Sequence, residues 1–256
     1  MSPFALPDGL LAPAPDPARI AWLKGITYAH RGLHGEGRVE NSPAAFRAAI
    51  AAGLGIECDV QASADGRAMV FHDWELDRLT GERGPVRARS ADALRRLRLA
   101  GGSGEPIWML PELLAEIGGR VPLLIEVKSH RAMAFVPLCQ AVRLALTGYR
   151  GRGAVMSFDP RVVRWFRVRA PEIVRGLVVT EEGAHGVRGG WRRRLALWHS
   201  GAQFLAYDVR DLPSRFAACQ RARGLPLLTW TVRSAELRLR AAAHADAAIA
   251  EGAGLA

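Results

Sequence analysis

Near the N-terminus, residues 30–73 read HRGLHGEGRVENSPAAFRAAIAAGLGIECDVQASADGRAMVFHD. The clusters of histidine, arginine and carboxylate side chains in this stretch follow apolar segments of strand type at 26–29, 55–61 and 68–71. Between the first two strands, Ser42, Pro43 and Gly53 suit the N-cap, the first turn and the end of a helix. Polar groups at the ends of strands that alternate with helices are typical of a parallel α/β fold, which builds its active site there.

The same alternation continues through the rest of the chain. Further strands are predicted to begin near residues 121, 153, 175, 203, 226 and 246, with helices at 131–146, 160–169, 213–223 and 234–243. With the strands at 26 and 55 this makes eight, which favours a closed (β/α)8 TIM barrel of the α/β class. The length of 256 residues suits one such barrel. Because the sequence stops soon after residue 250, we expect no last helix or a truncated one.

Two segments depart from this alternation. Residues 73–110 carry several glycines and predict a small insertion after the second strand, with a helix near 91–98. Residues 1–16 are rich in proline and alanine, and we expect them to lie irregularly over the surface. No change of composition divides the chain, so a single domain over residues 1–256 is expected.

The chain is strongly basic, with 35 Lys and Arg against 25 Asp and Glu and a formal net charge of +10. Almost all of this charge is arginine, spread along predicted helices, with the densest run at 188–194. Aromatic residues are not interleaved with the charges in a binding pattern. We therefore expect a generally basic surface that is attracted to anionic partners, and no nucleic-acid partner.

Several features bear on location. No apolar run approaches the ~20 residues of a membrane span, so no stable membrane insertion is expected. The prolines of the first 17 residues interrupt any signal peptide. Cys58, Cys139 and Cys219 are widely spaced and form no zinc pattern, which indicates free thiols in a reducing compartment. These observations favour a cytoplasmic protein, and the sequence leaves the oligomeric state open.

The pair Glu57 and Asp59 suggests a cation site. On a strand, residues i and i+2 point to the same face, so their carboxylates repel each other unless a proton or a cation lies between them. Glu126 would add a third oxygen ligand from a later strand. This set suits one hard divalent cation, Mg²⁺ or Ca²⁺. Solvated carboxylates at a strand end are the alternative.

Imidazole and cationic side chains occur at the same strand ends. His30 and His72 suit general acid–base catalysis because an imidazole titrates near pH ~6.5. Arg31 and Lys128 offer positive charge for a phosphate or a developing oxyanion. Together with a cation, these groups fit phosphoryl transfer better than acyl transfer. The alternatives are purely structural roles, a histidine of the core at position 30 and an ion pair between Lys128 and Glu126.

The chain resembles the glycerophosphodiester phosphodiesterase family, which consists of metal-dependent (β/α)8-barrel enzymes. The specific segment is the one from His30 to the end of HDWELDRLTG at residue 81, and LLIEVKS, VMSFDP, LLTWTVR and ADAAIAEGA support it. The resemblance implies release of sn-glycerol 3-phosphate and an alcohol from a small-molecule glycerophosphodiester. A vicinal hydroxyl of the glycerol would attack phosphorus first, giving a cyclic phosphate that water then opens.

The resemblance also implies roles for individual residues. It assigns acid–base catalysis to His30 and His72, and cation binding to the carboxylates of Glu57, Asp59 and Glu126. It assigns the phosphate contacts to Arg31 and Lys128. Trp230 would form a wall against the glycerol. Glu40 and Asn41 form a supporting element. From position alone, Trp230 equally suits the core, and Asn41 equally suits a turn ahead of the Ser42 cap.

The sequence departs from the family at two later positions. Glu251 follows the last strand where the family usually shows Thr-Asp, and Arg233 stands where it commonly has Asn. Neither change removes a predicted catalytic or cation-binding residue. The sequence does not specify which alcohol the preferred glycerophosphodiester carries. A lysophospholipase-D-like enzyme or another phospholipid phosphodiesterase using the same site is the alternative function. If the protein is not an enzyme, the alternative is a protein that binds anionic ligands without catalysis.

Overall fold

The computed structural model describes residues 5–35, 37–130 and 134–255. Its backbone forms two compact units, which are described separately below. The first unit is Tyr28–Gly153, and the second combines the residues up to Thr27 with those from Ala154 onward.

Helices and strands alternate along most of the described chain. The first part contains, in chain order, α1 (Ala5–Leu11), α2 (Pro17–Ile20), β1 (Thr27–Ala29), α3 (Pro43–Ala51), β2 (Gly55–Ala62), β3 (Ala68–Val70), α4 (Ala91–Arg96), α5 (Leu110–Ile117) and β4 (Leu123–Val127). The second part contains α6 (Val136–Leu146), β5 (Gly153–Ser157), α7 (Pro160–Arg169), β6 (Val174–Val179), α8 (Gly186–Ser200), β7 (Phe204–Asp208), α9 (Arg215–Ala222), β8 (Leu227–Val232), α10 (Ala235–His244) and β9 (Ala247–Ala250).

In the first unit, β2 is the central strand. It pairs in parallel with β1 and β4, and antiparallel with β3, with which it forms a hairpin around Asp65 and Gly66. Seven of its eight residues are buried, as expected for a strand covered on both faces. Helix α3 begins as predicted, because Ser42 Oγ accepts a hydrogen bond from Ala45 N at 3.2 Å and Pro43 opens the first turn.

In the second unit, β5 to β9 pair in parallel, each with the next along the chain. Helices α7 to α10 connect these strands. Apolar side chains of the strands and helices form one core cluster, which includes Leu177, Leu205, Tyr207, Phe216 and Leu227. Burial of this apolar surface is the main favourable contribution to the stability of such a core.

The eight parallel strands and their helices are those of a (β/α)8 TIM barrel, so the predicted fold class is confirmed. β3 is an additional, antiparallel strand. After β9 the described chain contains a single short 3₁₀ helix, Gly252–Gly254, which agrees with the predicted truncated last helix. No helix in the described ranges is long and apolar enough to cross a membrane.

The expectation of an irregular N-terminus was wrong for residues 5–11, which form α1. Tertiary contacts explain the difference, because Asp8 is fully buried and accepts hydrogen bonds from Trp198 Nε1 at 2.9 Å and Gln220 Nε2 at 2.8 Å. Such contacts override a weak local preference.

Helix α6 begins at Val136 rather than 131, and residues 131–133 lie outside the described ranges.

The insertion between β3 and α5 has an apolar cluster of its own. Helix α4 and the 3₁₀ turn Val86–Ala88 are its regular elements. Its buried residues include Phe71, Leu76, Leu94 and Ile107. The insertion is therefore packed onto the first unit rather than extended into solvent.

Candidate active site

Three carboxylates meet on the neighbouring strands β2 and β4 of the first unit. Glu57 and Asp59 are two residues apart on β2, and Asp59 lies in register with Glu126 of β4. Oxygen atoms of the three side chains all lie within 4.8 Å of one another. Glu57 is only 1% exposed and Asp59 only 2%. The two-residue spacing on β2 and the register with β4 thus bring the three predicted ligands into one cluster.

Burial and repulsion favour protons on two of these groups. Burial, and then repulsion from Asp59 and Glu126, raises the pKa of Glu57 well above its ordinary value. Burial also raises the pKa of Glu126, to about 7, although Lys128 opposes the shift. For Asp59 burial acts in the same direction, but the positive charges around it, led by Lys128, lower its pKa. The cluster therefore carries less negative charge at neutral pH than three ionised carboxylates would.

Arg31 links the first strand to this cluster. Its backbone N–H donates to Glu57 Oε2 at 3.0 Å, and its Nη1 donates to Glu40 Oε1 at 2.7 Å. Its Nε lies 3.4 Å from Asp59 Oδ2 but has no hydrogen-bond acceptor among the described residues. The residue has φ of 56°, an uncommon left-handed conformation for an arginine. This turn directs both the N–H and the guanidinium toward carboxylates.

Gly32 allows that turn to pass close to α3. Its φ is +79°, and a Cβ at this position would lie 2.9 Å from the backbone carbon of Ala45. A larger residue would therefore meet both backbone strain and a steric clash. The Gly of the His30-Arg31-Gly32 sequence is required by this close approach.

Asn41 fixes the orientation of Asp59. Its Nδ2 donates to Asp59 Oδ2 at 3.0 Å, and its Oδ1 accepts from the backbone N–H of Asp59 at 3.3 Å. The side chain is 1% exposed, and its φ of 54° is left-handed. Its backbone N–H also donates to Arg31 O at 2.9 Å. The structure thus places Asn41 beside the cluster, as the supporting role requires.

Lys128 lies between two members of the cluster. Its Nζ is 3.3 Å from Asp59 Oδ1 and 3.5 Å from Glu126 Oε1. Burial alone would lower the pKa of this ammonium, but the two carboxylates outweigh burial and raise it. Lys128 therefore keeps its positive charge, and it contacts Asp59 as well as the Glu126 expected from the sequence.

His72 is held by an acid–arginine pair. Its Nδ1 lies 2.7 Å from Asp73 Oδ1, and Arg78 donates to both oxygens of Asp73 at 2.6 and 2.9 Å. Arg78 also donates to both oxygens of Glu40, at 2.9 and 2.8 Å. One guanidinium from the insertion therefore connects the carboxylate behind His72 with the carboxylate behind Arg31.

The surroundings of His72 favour the neutral form of its imidazole. Burial, together with the charges of Lys128 and Arg31, lowers the pKa of the imidazole, although Asp59 opposes them. A neutral ring that donates from Nδ1 to Asp73 leaves the Nε2 lone pair available to accept a proton.

His30 follows β1, is 9% exposed, and its Nε2 lies 4.0 Å from Glu57 Oε2.

Two residues in this arrangement were missed by the sequence reasoning. Gln61 is buried on β2, and its Nε2 donates to the carbonyl oxygens of Phe71 and Asp73, the residues on either side of His72. A continued i, i+2 spacing from Glu57 and Asp59 was the available signal. Arg78 had no comparable signal, because its partners are distant in the sequence or part of the insertion.

The later predicted residues lie in the second unit. Trp230 is on β8, where its Nε1 donates to Ala206 O at 2.9 Å and its ring packs edge-on against Phe158. The two positions that depart from the family contact each other, since Arg233 Nε donates to Glu251 Oε1 at 2.6 Å. The two side chains thus form an ion pair.

The carboxylate cluster fits one divalent cation. Carboxylate oxygen atoms are the ligands that Mg²⁺ and Ca²⁺ prefer, and both ions leave positions for water or substrate oxygen atoms. Burial and mutual repulsion raise the pKa values of Glu57 and Glu126, so their ionised forms would be favoured by further positive charge among the three carboxylates. A dication would supply it.

The fold and this group of side chains define a TIM-barrel phosphoric diester hydrolase. The chain belongs to the glycerophosphoryl diester phosphodiesterase family, whose model matches residues 30–254. The glycerophosphodiester phosphodiesterase of Caldanaerobacter subterraneus subsp. tengcongensis is 29% identical over 82% of this chain and 86% of its own length.

Solved structures of similar proteins have the same fold. A phosphodiesterase of Oleispira antarctica in complex with the product sn-glycerol-3-phosphate matches with a TM-score of 0.78 at 24% identity. The match covers 89% of this chain and 93% of that one. Glycerophosphodiester phosphodiesterase of Thermotoga maritima matches with a TM-score of 0.72 at 23% identity, over 88% and 93% of the two chains.

Proposed function

We propose that this protein hydrolyses glycerophosphodiesters to sn-glycerol 3-phosphate and an alcohol, with one divalent cation, Mg²⁺ or Ca²⁺. The observation that carries the proposal is the cluster of Glu57, Asp59 and Glu126, the first two of them buried, with oxygen atoms within 4.8 Å of one another. Family membership and the product bound to the Oleispira antarctica relative support the choice of substrate.

The substrate phosphate would be bound by Arg31 and Lys128. Both cations lie beside the carboxylate cluster, so a phosphate held by them would also be next to the cation. Arg31 Nε is buried without a hydrogen-bond acceptor among the described residues, although buried donors are almost always paired. A phosphate oxygen is a suitable acceptor for this guanidinium.

The cation would be held by Glu57, Asp59 and Glu126. When bound, it supplies positive charge that polarises the phosphoryl group and stabilises charge developing on its oxygen atoms. Asn41 contributes indirectly, because its two hydrogen bonds keep Asp59 oriented toward the cluster.

His72 and His30 would transfer the protons. His72, neutral and held at Nδ1 by Asp73, accepts the proton of the attacking glycerol hydroxyl at Nε2 as that oxygen bonds to phosphorus. His30 protonates the departing alcohol oxygen as its bond to phosphorus breaks. In the second half of the reaction His30 takes a proton from water, which opens the cyclic phosphate, and His72 returns its proton to the glycerol oxygen. Each imidazole thus ends in its starting state.

We further propose a role for Trp230, a single domain, a location and a class of partner. Trp230 is assigned to the wall of the glycerol site on the family resemblance. A single domain over residues 1–256 is supported by the match of one family model to residues 30–254. A location in the cytoplasm is supported by the three free cysteines, two of them buried. The partner is a small molecule, with no nucleic acid.

Identification of the products by phosphorus NMR tests the proposed function. With Mg²⁺ or Ca²⁺ present, glycerophosphocholine and glycerophosphoethanolamine should give glycerol 3-phosphate, and EDTA should stop the reaction. Replacing His30 or His72 with Ala should lower kcat by about 10²- to 10⁴-fold. Failure to hydrolyse any glycerophosphodiester with any divalent ion would refute the proposal.

The second candidate is a lysophospholipase-D-like activity of the same site. The observation in its favour is the exposed apolar and basic surface of α8, where Trp191 is 45% exposed between arginines. Hydrolysis confined to water-soluble diesters would dispose of this candidate, whereas release of the headgroup alcohol from lysophosphatidylcholine would support it.

A further inference from the structure

Helix α8 exposes an apolar stripe on the second unit. Val187, Trp191 and Leu195 are spaced by four residues, so their side chains lie along one face of the helix. They are 79%, 45% and 56% exposed. Large apolar side chains scattered singly over a surface need no explanation, but three in a row on one helix face indicate an interaction surface.

Arginines are frequent on α8 and on the neighbouring helix α7, and Arg188 and Arg192 of α8 lie next to the stripe in the helix. Helix α8 and α7, against which it packs, contain eight arginines and no Asp or Glu. Three of the eight are neutralised, by Asp159, Glu181 and Asp8. The other five are exposed and have no ion pair among the described residues: Arg164, Arg167, Arg169, Arg188 and Arg192. Much of the excess positive charge of the chain is therefore concentrated on two neighbouring helices.

This combination favours a bilayer over other anionic partners. A helix with basic residues beside Trp and Leu is the type that lies in the interface of an anionic membrane, with its apolar side chains at the boundary of headgroups and acyl chains. Arginines near such a surface bind the negative leaflet. A nucleic-acid backbone would satisfy the arginines but would leave Val187 and Leu195 in contact with water.

We propose that the exposed face of α8, together with the unpaired arginines of α7 and α8, docks reversibly on an anionic lipid bilayer. We refer to Val187, Arg188, Trp191, Arg192 and Leu195 as the α8 face. Docking would be peripheral, because three apolar side chains bury little surface and no described helix can span a membrane. It would not require the carboxylate cluster, so it is independent of the proposed activity.

Sedimentation with lipid vesicles tests the proposal. The wild-type protein should bind phosphatidylcholine vesicles that contain phosphatidylglycerol, bind pure phosphatidylcholine vesicles weakly, and dissociate as salt is raised. All binding should be measured in EDTA, which prevents divalent ions from bridging protein and lipid and keeps the proposed active site idle. Binding in EDTA then reports the surface alone, whatever the outcome of the activity assays.

Two double variants separate the charged and the apolar contributions. Arg188→Gln with Arg192→Gln should weaken binding roughly 25-fold, since each arginine near an anionic leaflet strengthens it roughly fivefold. Trp191→Ala with Leu195→Ser should also weaken binding and should abolish quenching of tryptophan fluorescence by brominated lipid. The matched control is Arg238→Gln with Leu239→Ser on α10, which removes an exposed arginine and a 73% exposed leucine elsewhere. Unchanged Tm values would show that the variants are folded.

Several results would overturn the proposal. They are absence of wild-type binding to anionic vesicles, equal binding by the α8-face variants, and an equal loss in the α10 control. A short DNA duplex that displaces the vesicles, and whose own binding needs the arginines but not Trp191 and Leu195, would assign the surface to nucleic acid instead.

Discussion

Arg78 and Asp73 form two hydrogen bonds, at 2.6 and 2.9 Å, and Asp73 in turn lies 2.7 Å from Nδ1 of His72. The same guanidinium makes two bonds to Glu40, which accepts from Arg31. A single residue of the insertion therefore orients both a proposed proton acceptor and a proposed phosphate ligand. Because a planar guanidinium can bind two carboxylates at once, lysine is not an equivalent replacement.

Arg78→Lys is expected to lower kcat by about 10- to 100-fold, the usual cost of losing a residue that orients a catalytic group. KM should change less, because Arg31 and Lys128 still bind the phosphate. Steady-state kinetics over a range of pH measure the effect. In the plot of kcat against pH, the limb that reports the titration of His72 should shift. Arg87→Gln is the matched control, since Arg87 is an exposed arginine of the same insertion. Equal kinetics for Arg78→Lys and the control would contradict the role.

The same contact should make stability depend on acid pH. The bonds from Arg78 lower the pKa of Asp73 to about 2, below its ordinary value of 3.8. A lowered pKa in the folded state stabilises the protein above pH ~4, and this contribution is lost as pH falls from about 4 to 2. Its size is about 1 kcal/mol after allowance for solvent screening of this partly exposed group. Urea unfolding at several pH values should show the loss in the wild type and a smaller loss in Arg78→Gln.

Glu57→Gln should have opposite effects on stability and on cation binding. The pKa of Glu57 is raised in the folded protein, so ionisation destabilises the cation-free form as pH rises through that value. A neutral amide removes this cost, and the variant should melt higher than the wild type in EDTA at pH 8. With Mg²⁺ or Ca²⁺ the order should reverse, because only the wild type gains stability from the cation. A variant that is stabilised by the cation as much as the wild type would exclude Glu57 as a ligand.

Cation binding should strengthen as pH rises. In the cation-free protein the pKa of Glu126 is about 7 and that of Glu57 is raised, so protons compete with the cation below neutral pH. We expect the affinity to rise between pH 6 and 8, with proton release detected by calorimetry in buffers of different ionisation enthalpy. Glu126→Gln should reduce the proton release. An affinity independent of pH would mean that the cluster is not the binding site.

Two variants of Asn41 separate its backbone role from its side-chain role. Asn41→Ala should lose the hydrogen bonds to Asp59 and should also strain the backbone at φ of 54°. Asn41→Gly loses the same bonds but avoids the strain. Gly should therefore be more stable than Ala by about 1 kcal/mol, since a left-handed conformation costs roughly that much for a residue with a Cβ. Cation affinity should fall to the same extent in both. Chemical unfolding and calorimetry give the two quantities, and wild-type cation affinity in either variant would contradict the role of the amide.

The sequence predicted what depends on local spacing. The pairs Glu57 with Asp59 and Glu126 with Lys128 were visible because residues two apart share a strand face, and the register of Asp59 with Glu126 then brings the pairs together. The contacts of Arg78 could not be predicted, since nothing in the insertion sequence specifies which distant carboxylates its guanidinium reaches. Helix α1 was missed for the same reason, because the buried contacts of Asp8 with Trp198 and Gln220 join residues far apart in the chain.

In the proposed mechanism, Glu57, Asp59 and Glu126 hold the cation that hydrolysis requires. Anomalous diffraction from crystals soaked in Mn²⁺, an ion with a similar preference for oxygen ligands, tests it most directly. We expect one strong peak within coordination distance of all three carboxylates in the wild type and none there in Glu57→Gln. A peak elsewhere, or no peak in crystals of protein that Mn²⁺ activates, would contradict the assignment of these three ligands.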